Sequence, residues 1–235
     1  MKAIILAAGV GKRMHPLTLN CPKCLLPLNG KTIIEHQISL LKDYNINKIE
    51  IITGYENKKI EENVKNKAQY FYYPDYNNTN NLYTLYHHLD LLNDDLFIFF
   101  SDVLISRLSF ENCINSKADF SLLVDTDKCD ESTMRILVEN NNISDIGSHI
   151  ASDHGDGNFI GIAKFSKAGA ELLKDKINVL VKTGKYINDY YTIAIAQLAK
   201  ENHCITPIGV NGLPWMEIDT YDEYKKAQKE NFYVL

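Results

Sequence analysis

Three basic residues accompany a glycine loop near the start of the chain. Gly9 and Gly11 directly follow the apolar run MKAIILAA, and Lys12, Arg13 and Lys23 come soon afterwards. A glycine loop lets the backbone approach a ligand closely and direct N–H groups at phosphate oxygens. The pattern indicates a polyphosphate site, but it is equally compatible with solvated cations in a turn and a loop.

Two common phosphate-binding motifs are excluded at this loop. A Walker A loop needs a glycine at the position of Leu6 and a serine or threonine at the position of Arg13. A dinucleotide-binding fingerprint needs a third glycine where the chain has Met14. Any phosphate bound here is therefore held by a different class of loop.

Acidic residues end two strand-like segments. Asp102 closes the apolar run LFIFFSD and Asp219 closes WMEID, and open α/β sheets bind ligands at the carboxyl ends of their strands. Glu217 shares a strand face with Asp219 and is a further, weaker candidate. A strand-end aspartate can also serve only as a helix cap, and Asp219 before TYDEY fits that role as well.

A C-x-x-C pair, Cys21 and Cys24, flanks Lys23. Such a pair is typical of a zinc half-site or a thiol redox centre. The sequence has no second C-x-x-C, and no histidine stands near another cysteine at zinc-ligand spacing. A thiol or zinc module is therefore kept only as an unfavoured alternative.

Composition limits the classes of partner. The chain has 235 residues and a formal net charge of −5, which argues against a surface that neutralises nucleic acid or an anionic membrane. The apolar run at the start is too short for a signal sequence or a membrane span. We expect one soluble, cytoplasmic domain over residues 1–235, without membrane insertion.

Strand-like and helix-like segments alternate regularly, which predicts a layered α/β fold with a mostly parallel sheet. In the first half we predict strands over 2–8, 46–55, 68–74 and 95–102, and helices over 32–45, 56–66 and 80–92. In the second half we predict strands over 119–125, 134–140, 142–147, 159–165, 203–210 and 214–219, and helices over 168–181, 187–201 and 221–230. Several strands of the second half are expected to form a small antiparallel section.

The motifs together resemble a known enzyme family. MKAIILAAGVGKRMHPLT followed by PKCLLPLNGKTIIEHQISLL resembles the signature of nucleotidyltransferases that couple nucleoside triphosphates to sugar 1-phosphates and phospho-alcohols. NTNNLYTLYHHL and LPWMEIDTYDEYKKAQ resemble segments of bacterial phosphocholine cytidylyltransferases, and the latter also of inositol-phosphate and phosphonate cytidylyltransferases. The resemblance implies a Rossmann-like fold and Mg²⁺-dependent transfer of CMP from CTP to a small phospho-alcohol or phosphonate, with release of pyrophosphate.

The resemblance also implies roles for individual residues. Arg13, Lys23, Asp102 and Asp219 would be catalytic, and Asp102 and Asp219 would hold Mg²⁺. The predicted nucleotide site, including Lys12 from the charge pattern, comprises Leu6, Ala7, Ala8, Gly9, Gly11, Lys12, Arg13, Lys23, Tyr76, Asn81 and Thr84. Asn80 and Asn81 could instead be helix N-cap residues.

An aromatic and acidic group suggests how the second substrate is held. Tyr186, Asp189 and Tyr190 would share one face of the predicted helix, and Trp215 lies just before Glu217. Aromatic faces with an acidic neighbour suit a quaternary ammonium such as choline, whereas the same stripe could also be core packing. These five residues are the predicted acceptor site.

Besides the thiol module, two other functions remain as alternatives to a cytidylyltransferase. One is a sugar 1-phosphate nucleotidyltransferase, and the other is a domain that senses a nucleotide without turning it over. The sequence leaves the acceptor and the oligomeric state open.

Overall fold

The computed structural model describes residues 1–127, 129 and 134–229. Its strands are β1 (Lys2–Ala7), β2 (Pro27–Leu28), β3 (Lys31–Thr32), β4 (Ile49–Thr53), β5 (Gln69–Tyr72), β6 (Leu96–Phe100), β7 (Val103–Ile105), β8 (Phe120–Asp125), β9 (Met134–Glu139), β10 (Asn142–Gly147), β11 (Gly157–Phe165), β12 (Thr206–Gly209) and β13 (Trp215–Glu217). Its helices are α1 (Ile33–Asp43), α2 (Asn57–Val64), α3 (Asn81–His87), α4 (Arg107–Asn115), α5 (Lys167–Lys182), α6 (Thr192–Lys200) and α7 (Tyr221–Lys229).

One mixed sheet forms the centre of the fold. Its described strands run in the order β10-β9-β11-β6-β1-β4-β5, with β8 paired to β11 and β12. Strands β6, β1, β4 and β5 are parallel neighbours, and β12 is parallel to β8. Strand β11 is antiparallel to β6, β8 and β9. The predicted layered α/β fold is confirmed, and its antiparallel section belongs to the same sheet through β11.

Helices cover both faces of this sheet. Ile4 and Leu6 of β1 belong to an apolar cluster with residues of α3, α5 and α6. Their neighbours Ile5 and Ala7 point to the opposite face, where they pack with residues of α1, α2 and α4. Because both faces are covered at the centre of the sheet, the parallel strands β1 and β6 read as largely apolar runs in the sequence.

A third apolar cluster joins the start of the chain to its later part. Met14 and Leu28 pack with Met216 of β13 and with Tyr224 of α7. The hydroxyl of Tyr224 also donates a hydrogen bond of 2.6 Å to the carbonyl of Pro27. This cluster holds the glycine-loop segment beside the β7–β13 pair, where Asp102 and Asp219 lie.

The helix predicted over 187–201 is too long at its start. Helix α6 begins only at Thr192. The preceding backbone is bound to the start of α3 instead: the N–H of Asn80 donates to the carbonyl of Ile187, and the N–H of Tyr191 donates to Oδ1 of Asn81. These long-range bonds replace the helical ones. The expectation that Tyr186, Asp189 and Tyr190 share a helix face was therefore wrong.

Helix α4 was not predicted. Ser106 caps it by accepting a hydrogen bond from the N–H of Ser109, and Phe110 packs against Phe97 and Phe99. Over the described ranges, no helix has both the length and the apolar character needed to cross a bilayer. The single domain and the cytoplasmic location stay predictions.

Candidate active site

The glycine loop is fixed by its backbone conformation and by close packing. Gly11 adopts a left-handed conformation with φ of +66°, and its carbonyl accepts a 2.8 Å hydrogen bond from Oγ1 of Thr18. A side chain at Gly11 would place its Cβ only 3.2 Å from Cβ of Lys23. Among described atoms, a Cβ at Gly9 would meet nothing within 4 Å. The loop is thus tight on the Lys23 side and open at Gly9.

Lys23 lies at the centre of the charged groups. Its ammonium contacts both Asp102 and Asp219, and the guanidinium of Arg13 lies 2.5 Å from the second oxygen of Asp219. Burial alone would lower the pKa of Lys23, but the two carboxylates outweigh it and raise the pKa. Lys23 therefore stays protonated, and together with Arg13 it balances the charges of the two carboxylates.

Backbone contacts bring the two aspartates together from distant parts of the chain. Asp102 lies between β6 and β7, and its carbonyl accepts a 2.9 Å hydrogen bond from the N–H of Ile218. Asp219 follows β13 and precedes α7. Thr220 and Glu223 make reciprocal capping bonds at the start of α7. The cap-only reading of Asp219 is thus not needed, because its carboxylate is directed at Arg13 and Lys23.

The acidic group fits a divalent cation. Asp102, Glu217 and Asp219 each offer a carboxylate oxygen, and these atoms lie within 4.8 Å of one another. Oδ1 of Asp102 is buried and has no hydrogen-bond partner among the described residues. Burial and the two aspartates raise the pKa of Glu217 to about 8. A small group of hard carboxylate oxygens is suited to Mg²⁺ or a similar ion, whose other coordination positions are filled by water or substrate oxygens.

A cleft of about 430 Å³ opens beside this charged group. It is lined by every residue predicted for the nucleotide site: Leu6, Ala7, Ala8, Gly9, Gly11, Lys12, Arg13, Lys23, Tyr76, Asn81 and Thr84. It is also lined by residues that we did not predict: Val10, Pro22, Cys24, Asn77, Thr79, Asn80, Phe100 and Ser101. The asparagine-rich stretch before α3 and the serine before Asp102 were the available signals for some of these.

Two asparagines at the start of α3 have structural partners within the cleft wall. Asn80 is the N-cap, since its Oδ1 accepts a 2.8 Å bond from the N–H of Asn81. Oδ1 of Asn81 accepts a 2.7 Å bond from the N–H of Tyr191. The N-cap alternative therefore holds for Asn80, whereas Asn81 connects α3 to the loop before α6.

The predicted acceptor residues are divided by the fold. Tyr190 and Glu217 line the cleft, whereas Tyr186, Asp189 and Trp215 are not among the described residues that line it. The indole N–H of Trp215 donates a 2.7 Å hydrogen bond to Asp125 of β8. Trp215 therefore connects β13 to the sheet.

The surroundings of the C-x-x-C pair disfavour a reactive thiol centre. Both cysteines are free, and burial raises the pKa of Cys24 to about 12 and also raises that of Cys21. In the described chain the side chains grouped closely enough to share a metal ion are carboxylates, not thiols. The thiolate form that zinc binding or redox chemistry requires is thus disfavoured.

The sequence is similar to those of known enzymes. The nucleotidyl transferase family matches residues 2–126. The chain is 28% identical to the CTP:phosphoglutamine cytidylyltransferase of Campylobacter jejuni, covering 93% of this chain and 96% of that one. It is also 28% identical to the choline-phosphate cytidylyltransferase of Streptococcus pneumoniae, covering 97% of each.

Solved structures of cytidylyltransferases have a similar fold. The CTP:phosphocholine cytidylyltransferase of Streptococcus pneumoniae superposes with a TM-score of 0.81 at 25% identity, covering 97% of each chain. The inositol-1-phosphate CTP transferase of T. maritima has a TM-score of 0.79 at 17% identity, covers 97% of this chain and 94% of its own, and supports the fold alone. The family match over more than half of the sequence shows that this chain belongs to the nucleotidyl transferase family.

Proposed function

We propose that the protein is a Mg²⁺-dependent cytidylyltransferase that transfers CMP from CTP to a small phosphorylated alcohol or phosphonate and releases pyrophosphate. The observation that carries this proposal is the meeting of Lys23 and Arg13 with Asp102 and Asp219 at the wall of the glycine-loop cleft. The two relatives matched over nearly their full length are both cytidylyltransferases, which supports CTP as the donor. Because CTP is made inside cells, we place the reaction in the cytoplasm.

The reaction needs no nucleophile from the protein. A phosphate or phosphonate oxygen of the acceptor attacks the α-phosphorus of CTP, and the bond to the pyrophosphate oxygen breaks in line. Arg13 and Lys23 exchange their carboxylate contacts for phosphate oxygens and neutralise the charge that develops on pyrophosphate. Asp102 and Asp219, with Glu217 beside them, would hold Mg²⁺, which when bound would supply further neutralisation of phosphate charge.

The cleft wall supports an acceptor with a cationic or polar alcohol part. Tyr190 and Glu217 line the cleft together, and the ring of Tyr190 packs 6.1 Å from that of Phe100. An aromatic face and an acid in the wall of one cleft suit a quaternary ammonium. We propose phosphocholine as the first acceptor to test, with phosphoglutamine as the second because a relative's name includes it.

The test is pyrophosphate release over a matrix of nucleoside triphosphates and acceptors. ATP, CTP, GTP and UTP are each combined with phosphocholine, phosphoglutamine, phosphoethanolamine, aminoethylphosphonate, inositol phosphate, glycerol phosphate and hexose 1-phosphates. The proposal expects the highest kcat/KM with CTP and a phospho-alcohol or phosphonate. Activity only with hexose 1-phosphates would favour the sugar enzyme, and CTP binding without turnover would favour a sensing domain.

Matched aspartate variants test the assignment of Asp102. Asp102→Asn removes a charge that faces Lys23 and should lose orders of magnitude in turnover. Asp90→Asn removes a fully exposed carboxylate outside the cleft and should leave turnover unchanged. Equal turnover in the two variants would contradict the proposed role of Asp102.

A further inference from the structure

The position of Asp102 depends on a short backbone connection. Strand β6 ends at Phe100 and β7 begins at Val103, so Ser101 and Asp102 alone connect the two strands. The side chain of Asp102 is only 14% exposed. A small movement of this connection would therefore displace the carboxylate from Lys23.

One side chain from α1 holds both ends of this connection. Nε2 of Gln37 donates to the carbonyl of Phe100 at 2.7 Å and to the carbonyl of Val103 at 2.8 Å. Gln37 is 2% exposed, so water does not compete effectively for these bonds. From the other side, the N–H of Ile218 donates to the carbonyl of Asp102 itself. The aspartate is thus held between α1 and the β13 segment.

The amide of Gln37 lies among apolar side chains and only part of it is hydrogen-bonded. Its Oε1 is buried, and the described part of the chain provides it with no hydrogen-bond partner. A buried polar atom without a partner is unfavourable, and the surroundings of Gln37 on α1 are apolar residues such as Ile34, Ile38 and Leu41. A glutamine at this position is explained by its two donor contacts to the connection.

We propose that Gln37 is a positioning residue for Asp102. Its amide nitrogen fixes the Ser101–Asp102 connection, so that the carboxylate faces Lys23 and the acidic residues that flank Ile218. The inference rests on the proposed function for its kinetic consequence, because Gln37 touches neither nucleotide nor acceptor and acts only through Asp102.

The main test is Gln37→Met, which retains the length of the side chain but removes both donors. A misplaced reacting group lowers catalysis steeply, so we expect kcat to fall roughly tenfold to a hundredfold while the KM for CTP changes little. Binding of Mn²⁺, followed by electron paramagnetic resonance without any turnover, should weaken in the same variant. Gln37→Leu serves as a second variant if the first does not fold.

The matched control is Ile38→Val, which shortens a buried neighbour on the same helix. It should lower the Tm without changing kcat or Mn²⁺ binding. The proposal is overturned if Gln37→Met binds Mn²⁺ like the wild type, or if its kcat falls no more than that of the control. Since Mn²⁺ binding is measured without substrate, this result remains informative even if CTP is not the donor.

Discussion

Replacing Lys23 with methionine tests how the cleft balances its charges. The side chains of Lys23, Asp102 and Asp219 are 13, 14 and 9% exposed, so solvent screens their interaction weakly. Removing one partner of a buried ion pair costs about 3–5 kcal/mol, and we take about 3 kcal/mol because Arg13 still contacts Asp219. For a chain of this size about 1 kcal/mol corresponds to a Tm change of 2–4 °C. The expected Tm decrease in a chelator is thus about 6–12 °C.

A divalent cation should reverse most of this loss. In Lys23→Met the carboxylates of Asp102 and Asp219 face each other without their ammonium, and a metal ion can take its place. In the wild type the metal must first displace Lys23, so its stabilising effect without nucleotide should be smaller. The assay is thermal unfolding with chelator and then with increasing Mg²⁺. Turnover of the variant should fall by roughly 10²–10³, as for other lost charge-stabilising donors.

The control for Lys23 is Lys174→Met. Lys174 pairs with Asp90 at 3.6 Å, but Asp90 is fully exposed, so the pair contributes little and its loss should not depend on metal. Equal melting of Lys23→Met and the wild type in chelator would refute the reasoning. The same Mg²⁺ response in both proteins would also refute it.

Three further predictions concern the loop, the cysteines and the tryptophan. Gly11→Ala and the control Gly184→Ala both introduce a side chain at positive φ, and each should lose about 1–2 kcal/mol of stability. Only Gly11→Ala should raise the KM for CTP, because its new Cβ would lie 3.2 Å from the Lys23 side chain. The double variant Cys21→Ser/Cys24→Ser should retain turnover. In the folded wild type, mass spectrometry after brief iodoacetamide treatment should find the buried Cys24 unmodified, and rapid modification would contradict its raised pKa. Trp215→Phe removes the indole N–H that donates to Oδ2 of Asp125 and should cost about 1–3 kcal/mol in urea unfolding. A raised KM for the acceptor with no loss of stability would instead support the acceptor role predicted from the sequence.

The parts of the fold that could be predicted depend on local patterns. Strand β1 is buried at every position and apolar from Ala3 to Ala7 because both of its faces are covered, and α1 carries its buried residues at helical spacing with Thr32 and Glu35 as a capping box. Asp102 and Asp219 could be found because each follows a strand-like run. In these cases the information lies within a few neighbouring residues.

The parts that could not be predicted depend on distant partners. The start of α6 is decided by bonds from Asn80 and Asn81 to the loop before it, and the two segments are separated by 110 residues. The direction of the Trp215 ring is decided by Asp125, which lies 90 residues earlier. Neither partner is visible from local periodicity, and so Tyr186, Asp189 and Tyr190 of the predicted acceptor group were placed on a helix that does not extend to them.

The separation of the charged residues along the chain has a consequence for synthesis. Lys23 and Asp219 meet although 196 residues separate them. A ribosome adds about 5–20 residues per second, so the basic loop precedes its last acidic partner by roughly 10–40 s. During that time a nascent chain carries the cations of the cleft without Asp219. A chain whose synthesis stops before β13 would therefore lack Glu217 and Asp219 of the acidic group, and catalytic competence would arrive only after this segment had been made.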